Sequence, residues 1–415
     1  MRIAVYSGSF DPLHIGHQAI MEYLTNVREF DWVYLVISPQ NPLKSPDNVL
    51  SAEQRYRAAI DAVLRHPELH VWVDNIELQM PAPHYTIRTL DALKKREPHN
   101  EFSLVIGADN LQNIHKWRDA PRLLSEYGVV VYPRTGYDMH RTRQLLLEEC
   151  RQFPAPYVLD SWTCHDTASL EELDQLYHIK LIDAPIIDIS STELREQLAS
   201  GTGENLLPPA VYGYILRNHL YGTDVNLKSL TLSQLRPVAL SYLKHKRIPH
   251  VLGTEQEAIR LATRYGADVE KARVAALLHD CTKKLDMPEQ LALCRQYGIE
   301  LDELEQKALK LLHAKTGAAI AREVFGVDDE IYRAIWWHTT GHADMTLLEK
   351  IIYLADYIEP SRDFPGVNDL RACVYEDLDR GMLMGLEMTI DEMTEMGNPV
   401  HHATMEARDW LKGKR

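Results

Sequence analysis

A change in hydrophobic periodicity near residue 222 divides the chain. Before it, short runs rich in β-branched and aromatic residues alternate with stretches whose apolar residues recur every three to four positions. After it, the runs have the helical period and no convincing strand remains. Strands that alternate with helices favour a parallel, doubly wound sheet, which binds ligands at the carboxyl ends of its strands. We therefore predict an α/β domain at residues 1–222 and an all-α domain at residues 228–415.

Six segments of the first domain are predicted strands. They are RIAVYSG from Arg2, WVYLVIS from Trp32, HVWV from His70, FSLVIG from Phe102, GVVVY from Gly128 and HIKLID from His178. Segments such as AEQRYRAAIDAVLR and HYTIRTLDALKKR lie between them and have helical spacing. Predicted strands and helices therefore alternate along the first domain.

Charge and cysteine content limit the classes of function. The chain carries 45 Lys and Arg against 60 Asp and Glu, a formal charge of −15, which argues against a protein that coats nucleic acid. Its 5 cysteines form no CxxC pair and are odd in number, so neither a disulfide framework nor a zinc knuckle is indicated. The N-terminus enters a strand directly, and no segment has 18 uninterrupted apolar residues. We expect a cytoplasmic protein with no membrane partner, and whether it forms a homo-oligomer stays open.

The first strand ends in a glycine-rich turn that carries two histidines. Gly8, Ser9 and Phe10 lead into His14 and His17, which stand three residues apart at the start of a predicted helix. A helix N-terminus offers free N–H groups and the positive end of a dipole, so it is a suitable place for an anion. Both histidines can donate to phosphate oxygens. The pattern suits phosphoryl or nucleotidyl transfer, although a tight glycine turn with incidental histidines explains it equally well on its own.

Two motifs together are more specific. The string GSFDPLHIGH resembles the HxGH signature of the nucleotidyltransferase superfamily, and ISSTELR from Ile189 resembles its second signature, ISSTxxR. Further matches make the first domain similar to the nicotinate-nucleotide adenylyltransferases: PQNPLK, the Tyr85-Thr86 pair, GADN, Trp117, Pro133-Arg134 and the closing PPAVYGYILRNHLY. The resemblance implies a Rossmann-like fold and the transfer of AMP from ATP to nicotinate mononucleotide, with Mg²⁺, giving deamido-NAD and pyrophosphate.

The same resemblance implies residue roles. His14 and His17 would act on the ATP phosphates and the charge that develops at the α-phosphorus. ATP and its phosphates would also be bound by Gly8, Ser9, Phe10, Lys44, Arg134, Ser191, Thr192 and Arg195. Thr86, Asp109 and Trp117 would bind on the mononucleotide side. Trp117 as plain packing and Lys44 as an ordinary solvated lysine are the alternatives.

The all-α domain carries histidines and aspartates beside apolar helical runs. His279 and Asp280 end AALLHD, and Asp356 interrupts IIYLADYI. Burial of such groups costs several kcal/mol unless they are paired or bound to a metal. Histidine and carboxylate ligands suit Fe, Mn or Zn, and an aspartate can bridge two ions. One such histidine alone is more often structural, but the domain offers a larger set of candidates: His250, His279, Asp280, His313, His338 and Asp356.

The pattern H…HD…H…H…D resembles the HD-domain phosphohydrolases. HDCTK from His279, HAKTGAAIA from His313, HTTG from His338 and EKIIYLADYIEPSRDFPG from Glu349 are similar to the bacterial HD family that splits diadenosine tetraphosphate symmetrically into two ADP. The resemblance implies two divalent metals, iron first and manganese as the alternative. His250, His279, Asp280 and Asp356 would hold one, and Asp280, His313 and His338 the other.

Lys283 and Arg362 would grip the dinucleotide polyphosphate, and Asp280 and Lys283 would serve catalysis. Val251 departs from the family pattern, where a hydroxyl residue is expected after the first histidine. His342, His401 and His402 are expected to be surface histidines.

Two enzymes in one chain are the leading interpretation. The first domain could instead use nicotinamide mononucleotide or another phosphate acceptor. The second could hydrolyse another nucleotide, such as a deoxynucleoside triphosphate or a guanosine polyphosphate. A catalytically silent nucleotide sensor in one half is a further alternative, although the intact motifs argue against it.

Overall fold

The computed structural model describes residues 1–26, 30–39, 51–151 and 169–413. The chain divides into two compact units, Met1–Asp224 and Val225–Arg415. Within the described residues, every helix is either too short or too polar to cross a membrane.

The first unit is built on a parallel sheet. Its strands are β1 (Arg2–Gly8), β2 (Trp32–Ile37), β3 (Val71–Asp74), β4 (Glu101–Gly107), β5 (Val129–Tyr132) and β6 (Ile179–Leu181). Their order across the sheet is β3-β2-β1-β4-β5-β6, and all neighbouring pairs are parallel. All six predicted strands are therefore confirmed, as is the α/β class.

Helices follow the strands of this sheet. They are α1 (Ile15–Asn26), α2 (Ala52–Val63), α3 (Ile76–Gln79), α4 (Thr86–Arg96), α5 (Ala108–Leu111), α6 (Ala120–Arg122), α7 (Met139–Cys150), α8 (Leu170–Leu176), α9 (Ser191–Ala199) and α10 (Pro209–Arg217). Local sequence explains where several begin. Ser51 forms a capping box with Gln54 at the start of α2, and Ser169 does the same with Glu172 before α8.

Buried apolar runs explain the central strands. Ile3, Val5, Leu104 and Val131 are buried in the core of the sheet, as expected for strands that are covered on both faces. The strand order changes direction at the centre of the sheet, between β1 and β4. After β1 the chain adds β2 and β3 on one side, and after β4 it adds β5 and β6 on the other side. Such a reversal opens a crevice at the carboxyl ends of these two strands.

Within the described residues, the regular elements of the second unit are all helices. Its helices are α11 (Leu232–Ser241), α12 (Ile248–Tyr265), α13 (Val269–Leu278), α14 (Met287–Gln296), α15 (Leu309–Phe325), α16 (Asp329–Trp337), α17 (Leu347–Ile358), α18 (Val367–Glu376), α19 (Leu378–Glu395) and α20 (His402–Gly413). Helix α13 packs against α12, α16 and α17. Its buried Ala272, Ala275 and Ala276 are small, so the neighbouring helices can approach closely. The predicted all-α class is confirmed.

Candidate functional site

The loop between β1 and α1 holds the first motif in place through an aromatic contact. Phe10 is buried with a φ of 45°, and its ring packs edge-on against Tyr6 and His17 at centroid distances of 5.2 and 4.9 Å. A Cβ on Gly8 would lie 3.1 Å from the Phe10 ring, tighter than ordinary contact, so glycine suits this position. The loop thereby fixes the ring of His17 at the N-terminus of α1.

His14 and His17 are stacked on one another. Their ring centroids are 3.5 Å apart, and the backbone N–H of His14 donates to Nδ1 of His17 at 3.2 Å. A neutral His17 therefore carries its proton on Nε2, where it can donate to an anion. His14 is buried, and its Nδ1 makes no hydrogen bond within the described chain. Burial and then the charge of Arg134 lower the pKa of His14 to about 4.

The second motif lies next to the first. Ser190 caps α9 by accepting from the backbone N–H of Glu193. Arg195 donates from Nη1 to the carbonyl oxygen of Asp11 at 2.8 Å and from Nη2 to Oγ1 of Thr192 at 3.2 Å. Ser191 opens the same helix. The structure therefore brings the two sequence signatures together.

Residues from the ends of β4 and β5 line the same crevice. Arg134 stands beside His14 and His17 in one pocket, which the segment from Pro185 to Asp188 also borders. Its Nη2 donates to the Tyr132 hydroxyl at 3.3 Å, and its Nε lies 3.7 Å from Oδ1 of Asp109. A Cβ on Gly107 would collide with that aspartate oxygen. A cation and a carboxylate thus stand at the carboxyl edge of the sheet.

The predicted mononucleotide-side residues lie elsewhere in this unit. Thr86 is half-buried and opens α4, whereas Trp117 is partly buried and packs against the core of the sheet. Their role in binding the mononucleotide stays a prediction. Lys44 lies outside the described residues.

Three residues near the first motif were missed by sequence reasoning. Arg55 is buried and donates to the carbonyl oxygens of Ser9, Ser38 and Pro39, so it ties the ends of β1 and β2 together. In the sequence, Arg55 could have been found as the one arginine among the apolar residues on the buried face of α2. The other two are the Tyr221 hydroxyl, which donates to Oδ1 of Asp11 at 2.6 Å, and Glu77, a buried carboxylate that accepts from Thr89.

In the second unit, the six predicted metal ligands come from five helical segments. His250 lies in the first turn of α12, His313 in α15 and Asp356 in α17. His279 and His338 cap the C-termini of α13 and α16, and Asp280 follows His279. We call these six residues the histidine–aspartate cluster. All are buried except Asp356, whose side chain is 18% exposed.

The donor atoms of the cluster are close together. His250 Nε2 lies 2.9 Å from Asp356 Oδ1 and 3.8 Å from Asp280 Oδ2. His279 Nε2 lies 3.4 Å from Asp280 Oδ2. On the other side of Asp280, Oδ1 is 3.2 Å from His313 Nε2, which is 3.1 Å from His338 Nε2. The two oxygens of Asp280 therefore face two different groups of donors.

Hydrogen bonds orient three of the histidines. Nδ1 of His250 faces a carboxylate oxygen of Glu359 at 3.0 Å. Nδ1 of His279 and of His338 face main-chain carbonyl oxygens at 2.7 and 2.6 Å. Each of these partners is an acceptor, so the proton belongs on Nδ1 and the Nε2 lone pair is turned into the cluster. This is the usual arrangement of a histidine that binds a metal.

The cluster fits divalent metal ions on these grounds. His250 Nε2, His279 Nε2 and Asp280 Oδ1 are buried and make no hydrogen bond within the described residues, which is costly unless a ligand satisfies them. Burial would raise the pKa of Asp280, but His279 and His313 hold it well below its ordinary value, so the carboxylate is ionised. Imidazole and carboxylate donors together suit Zn, Fe or Mn.

Cationic side chains surround the cluster. Arg362 donates from Nη2 to Asp356 Oδ1 at 2.7 Å, and Nζ of Lys283 lies 2.8 Å from His313 Nε2. Sequence reasoning predicted both of them near the site but missed two more residues. Arg247 lies 2.5 Å from Asp280, and Glu359 binds His250 and the backbone N–H and hydroxyl of Ser361.

One expectation about the remaining histidines is wrong. His401 is buried, not on the surface, because it immediately precedes α20 and lies against two carboxylates, Asp302 and Glu305, each 3.3 Å from its Nε2. His342 is also largely covered and faces the buried Glu349 at 3.1 Å, whereas His402 is exposed. Val251 packs with Leu240 and Leu243 in an apolar cluster, which explains how an apolar residue is accommodated there.

Comparison with known proteins gives the same division of the chain. Residues 5–197 match the cytidylyltransferase-like family, and residues 247–361 match the HD domain. A probable nicotinate-nucleotide adenylyltransferase of Flavobacterium johnsoniae is 32% identical over 222 residues, covering 53% of this chain and 99% of that protein. A symmetrical bis(5'-nucleosyl)-tetraphosphatase of Halalkalibacterium halodurans is 42% identical over 171 residues, covering 41% of this chain and 91% of that protein.

Among solved structures, one from Clostridium acetobutylicum is described as a predicted HD superfamily hydrolase involved in NAD metabolism. It is 41% identical and covers 45% of this chain and 99% of that one, with a TM-score of 0.44.

Proposed function

The chain belongs to the nicotinate-nucleotide adenylyltransferases in its first unit and to the HD-domain symmetrical tetraphosphatases in its second, and from this premise we propose a bifunctional enzyme. One active site makes deamido-NAD, and the other splits diadenosine tetraphosphate. The two sites have different substrates, so one does not feed the other.

In the first reaction, a phosphate oxygen of nicotinate mononucleotide attacks the α-phosphorus of ATP. The bond from that phosphorus to the bridging oxygen breaks, and pyrophosphate leaves; Mg²⁺ would neutralise part of the phosphate charge. The attacking phosphate is already anionic at neutral pH, so catalysis rests on position and charge stabilisation and needs no general base. The observation that carries this proposal is the contact between Arg195 of the second motif and Asp11 of the first.

Individual roles follow from this arrangement. His17 donates from Nε2 to a phosphate oxygen, and His14, stacked on its ring, acts on the same phosphates. Arg195, with Ser191 and Thr192 at the N-terminus of α9, binds the leaving pyrophosphate. Further proposed contacts to the two nucleotides come from the rest of the predicted set: Gly8, Ser9, Phe10, Lys44, Thr86, Asp109, Trp117 and Arg134.

In the second reaction, water attacks one of the two central phosphorus atoms of diadenosine tetraphosphate, the bond from that phosphorus to the central bridging oxygen breaks, and two ADP form. The proposed ligands of one ion are His250, His279, Asp280 and Asp356, and those of the second are Asp280, His313 and His338. Two divalent ions, iron or manganese, would supply a water of lowered pKa and neutralise phosphate charge. The observation that carries this proposal is the set of buried metal-donor atoms that make no hydrogen bond within the described residues. Lys283 and Arg362 hold the polyphosphate beside them.

A product assay on the full chain tests both assignments. Nicotinate and nicotinamide mononucleotides are each offered with ATP and Mg²⁺, and diadenosine tetraphosphate is offered with Fe²⁺ or Mn²⁺. We expect pyrophosphate release with nicotinate mononucleotide. From diadenosine tetraphosphate we expect ADP as the sole nucleotide product. If neither mononucleotide gives pyrophosphate release, the first assignment is overturned. If diadenosine tetraphosphate gives AMP plus ATP instead of ADP, the second assignment is overturned. Deoxynucleoside triphosphates and guanosine polyphosphates serve as competing substrates.

Location follows from the cysteines. Cys150, Cys281, Cys294 and Cys373 are free and buried in the described chain, which supports a reducing compartment. The cytoplasm is therefore the proposed site of action.

A further inference from the structure

Arg247 is turned toward the histidine–aspartate cluster although it belongs to a basic surface run. Residues Lys244, His245 and Lys246 before it are exposed, whereas Arg247 ends a short 3-10 helix immediately before α12 and is half-buried. The turn of that helix therefore separates one cation from its neighbours.

The guanidinium of Arg247 reaches both aspartates of the cluster. Its Nε lies 2.5 Å from Asp280 Oδ2, and its Nη2 lies 4.0 Å from Asp356 Oδ1. The Arg247 side chain is 27% exposed, while that of Asp280 is fully buried. The Nε edge of the guanidinium thus faces the buried carboxylate, and the Arg247 side chain as a whole stays partly open to solvent.

Two other cations have the same kind of placement. Arg362 contacts Asp356 and is 32% exposed, and Lys283 lies 3.8 Å from Asp280 and is 35% exposed. Three cationic side chains, each about one-third exposed, therefore stand around the two aspartates.

Charge at the site indicates the class of substrate. Asp280, Asp356 and the buried Glu359 carry three negative charges, and Arg247, Lys283 and Arg362 carry three positive ones, so the protein groups balance at zero. Two divalent ions would leave four positive charges. A chain of four phosphates between two nucleosides carries one negative charge on each phosphorus and balances them, whereas a monophosphate leaves about half uncompensated.

We propose that Arg247 binds the substrate, holding a phosphate of a polyphosphate chain at the mouth of the cluster. With divalent ions bound, Asp280 would have less need of a guanidinium, and the fork of Arg247 would be available to phosphate oxygens, which it matches in geometry. This inference rests on the hydrolase function proposed above and adds to it a third polyphosphate-binding cation.

The test uses the full chain loaded with Mn²⁺ and carrying His17→Ala, so that phosphate binding by the first unit is reduced. Arg247→Gln is compared with Lys246→Gln, its exposed neighbour in sequence. The measurements are bound Mn²⁺ per chain and the Kd of inorganic tripolyphosphate and of a non-hydrolysable methylene analogue of diadenosine tetraphosphate. Loss of a charge-assisted hydrogen bond is expected to raise both Kd values about ten- to a hundredfold, with Mn²⁺ content unchanged. Lys246→Gln is expected to bind as the parent does.

Arg247→Lys keeps the charge and loses the planar fork, so it should recover part of the affinity. Unchanged Kd values in Arg247→Gln would overturn the proposal. Loss of Mn²⁺ in parallel with affinity would also overturn it, because Arg247 would then act on the metal ligands alone. If the parent binds tripolyphosphate through Arg247 but does not hydrolyse diadenosine tetraphosphate, the proposed function fails and the binding role of Arg247 stands.

Discussion

The carbonyl oxygen of Asp11 accepts a hydrogen bond from Arg195, which lies 184 residues further along the chain. The carboxylate of the same aspartate accepts from Tyr221 at 2.6 Å. The loop that carries the first motif is therefore held from the far end of its own unit, and Asp11 is the residue through which Tyr221 and Arg195 are connected.

Tyr221→Phe should weaken the first activity through the position of Arg195. The variant removes a buried hydrogen bond to a charged group, worth about 1.5–3 kcal/mol. We expect a lower free energy of unfolding of the first unit in urea and a raised KM for ATP, with hydrolysis of diadenosine tetraphosphate unchanged. Tyr214→Phe, on the nearby helix α10, is the matched control. Equal effects of the two variants would contradict the role of the Tyr221 hydroxyl.

Single substitutions should separate the two activities. His17→Ala removes a proposed phosphate donor and should lower adenylyl transfer by at least a hundredfold, since loss of one such donor costs about 2.7–4 kcal/mol of transition-state stabilisation. Asp280→Asn removes the charge that is proposed to bridge two ions and should abolish only the hydrolase. Both activities are assayed on each variant. If either variant loses both activities, the two sites are not independent.

Glu359→Gln should weaken metal binding without touching a proposed ligand. Glu359 orients His250 by accepting from Nδ1, and loss of such a carboxylate typically lowers metal affinity ten- to a hundredfold. Titration with Mn²⁺ measures the change. Gly253→Ala gives a second route to the same effect, because a Cβ there would collide with the Glu359 carboxylate. Wild-type Mn²⁺ affinity in both variants would contradict this role.

His14 should make the stability of the first unit depend on pH. Its pKa is about 4 in the folded protein against an ordinary value of 6.5, so the unfolded chain binds the proton first as pH falls. Stability is therefore expected to decrease from pH 6.5 down to pH 4, by at most about 3 kcal/mol from this group. Urea denaturation across this range measures the slope. His14→Gln should flatten it, and an unchanged slope would assign the effect to other groups.

The fold and the cluster ligands could be predicted because their sequence signals are local. Strand and helix periods are legible in short segments, and an Asp356 inside IIYLADYI stands out from its apolar neighbours. Arg247 could not be predicted, since four polar residues in a row give no sign of which one the turn directs inward. Glu359 was missed because a glutamate after a helix is ordinary, and only the fold brings it to His250.

His401 shows the opposite error. A histidine pair in a polar segment near the end of the chain predicts two surface residues, and His402 is indeed exposed. The segment from Asp302 to Glu305, distant in sequence, covers His401 and supplies its acceptors. Burial of a terminal element depends on a partner that local patterns do not reveal.

The connection of Asp11 to Arg195 and Tyr221 also sets an order of events during synthesis. A ribosome adds about 5–20 residues each second, so the loop that contains Asp11 emerges roughly 10–40 s before Tyr221 does. Until then the nascent chain has the histidines of the first site but lacks the residues that fix their loop. The first site is therefore completed only when its whole unit has left the ribosome, and it can be complete before the second unit has been translated.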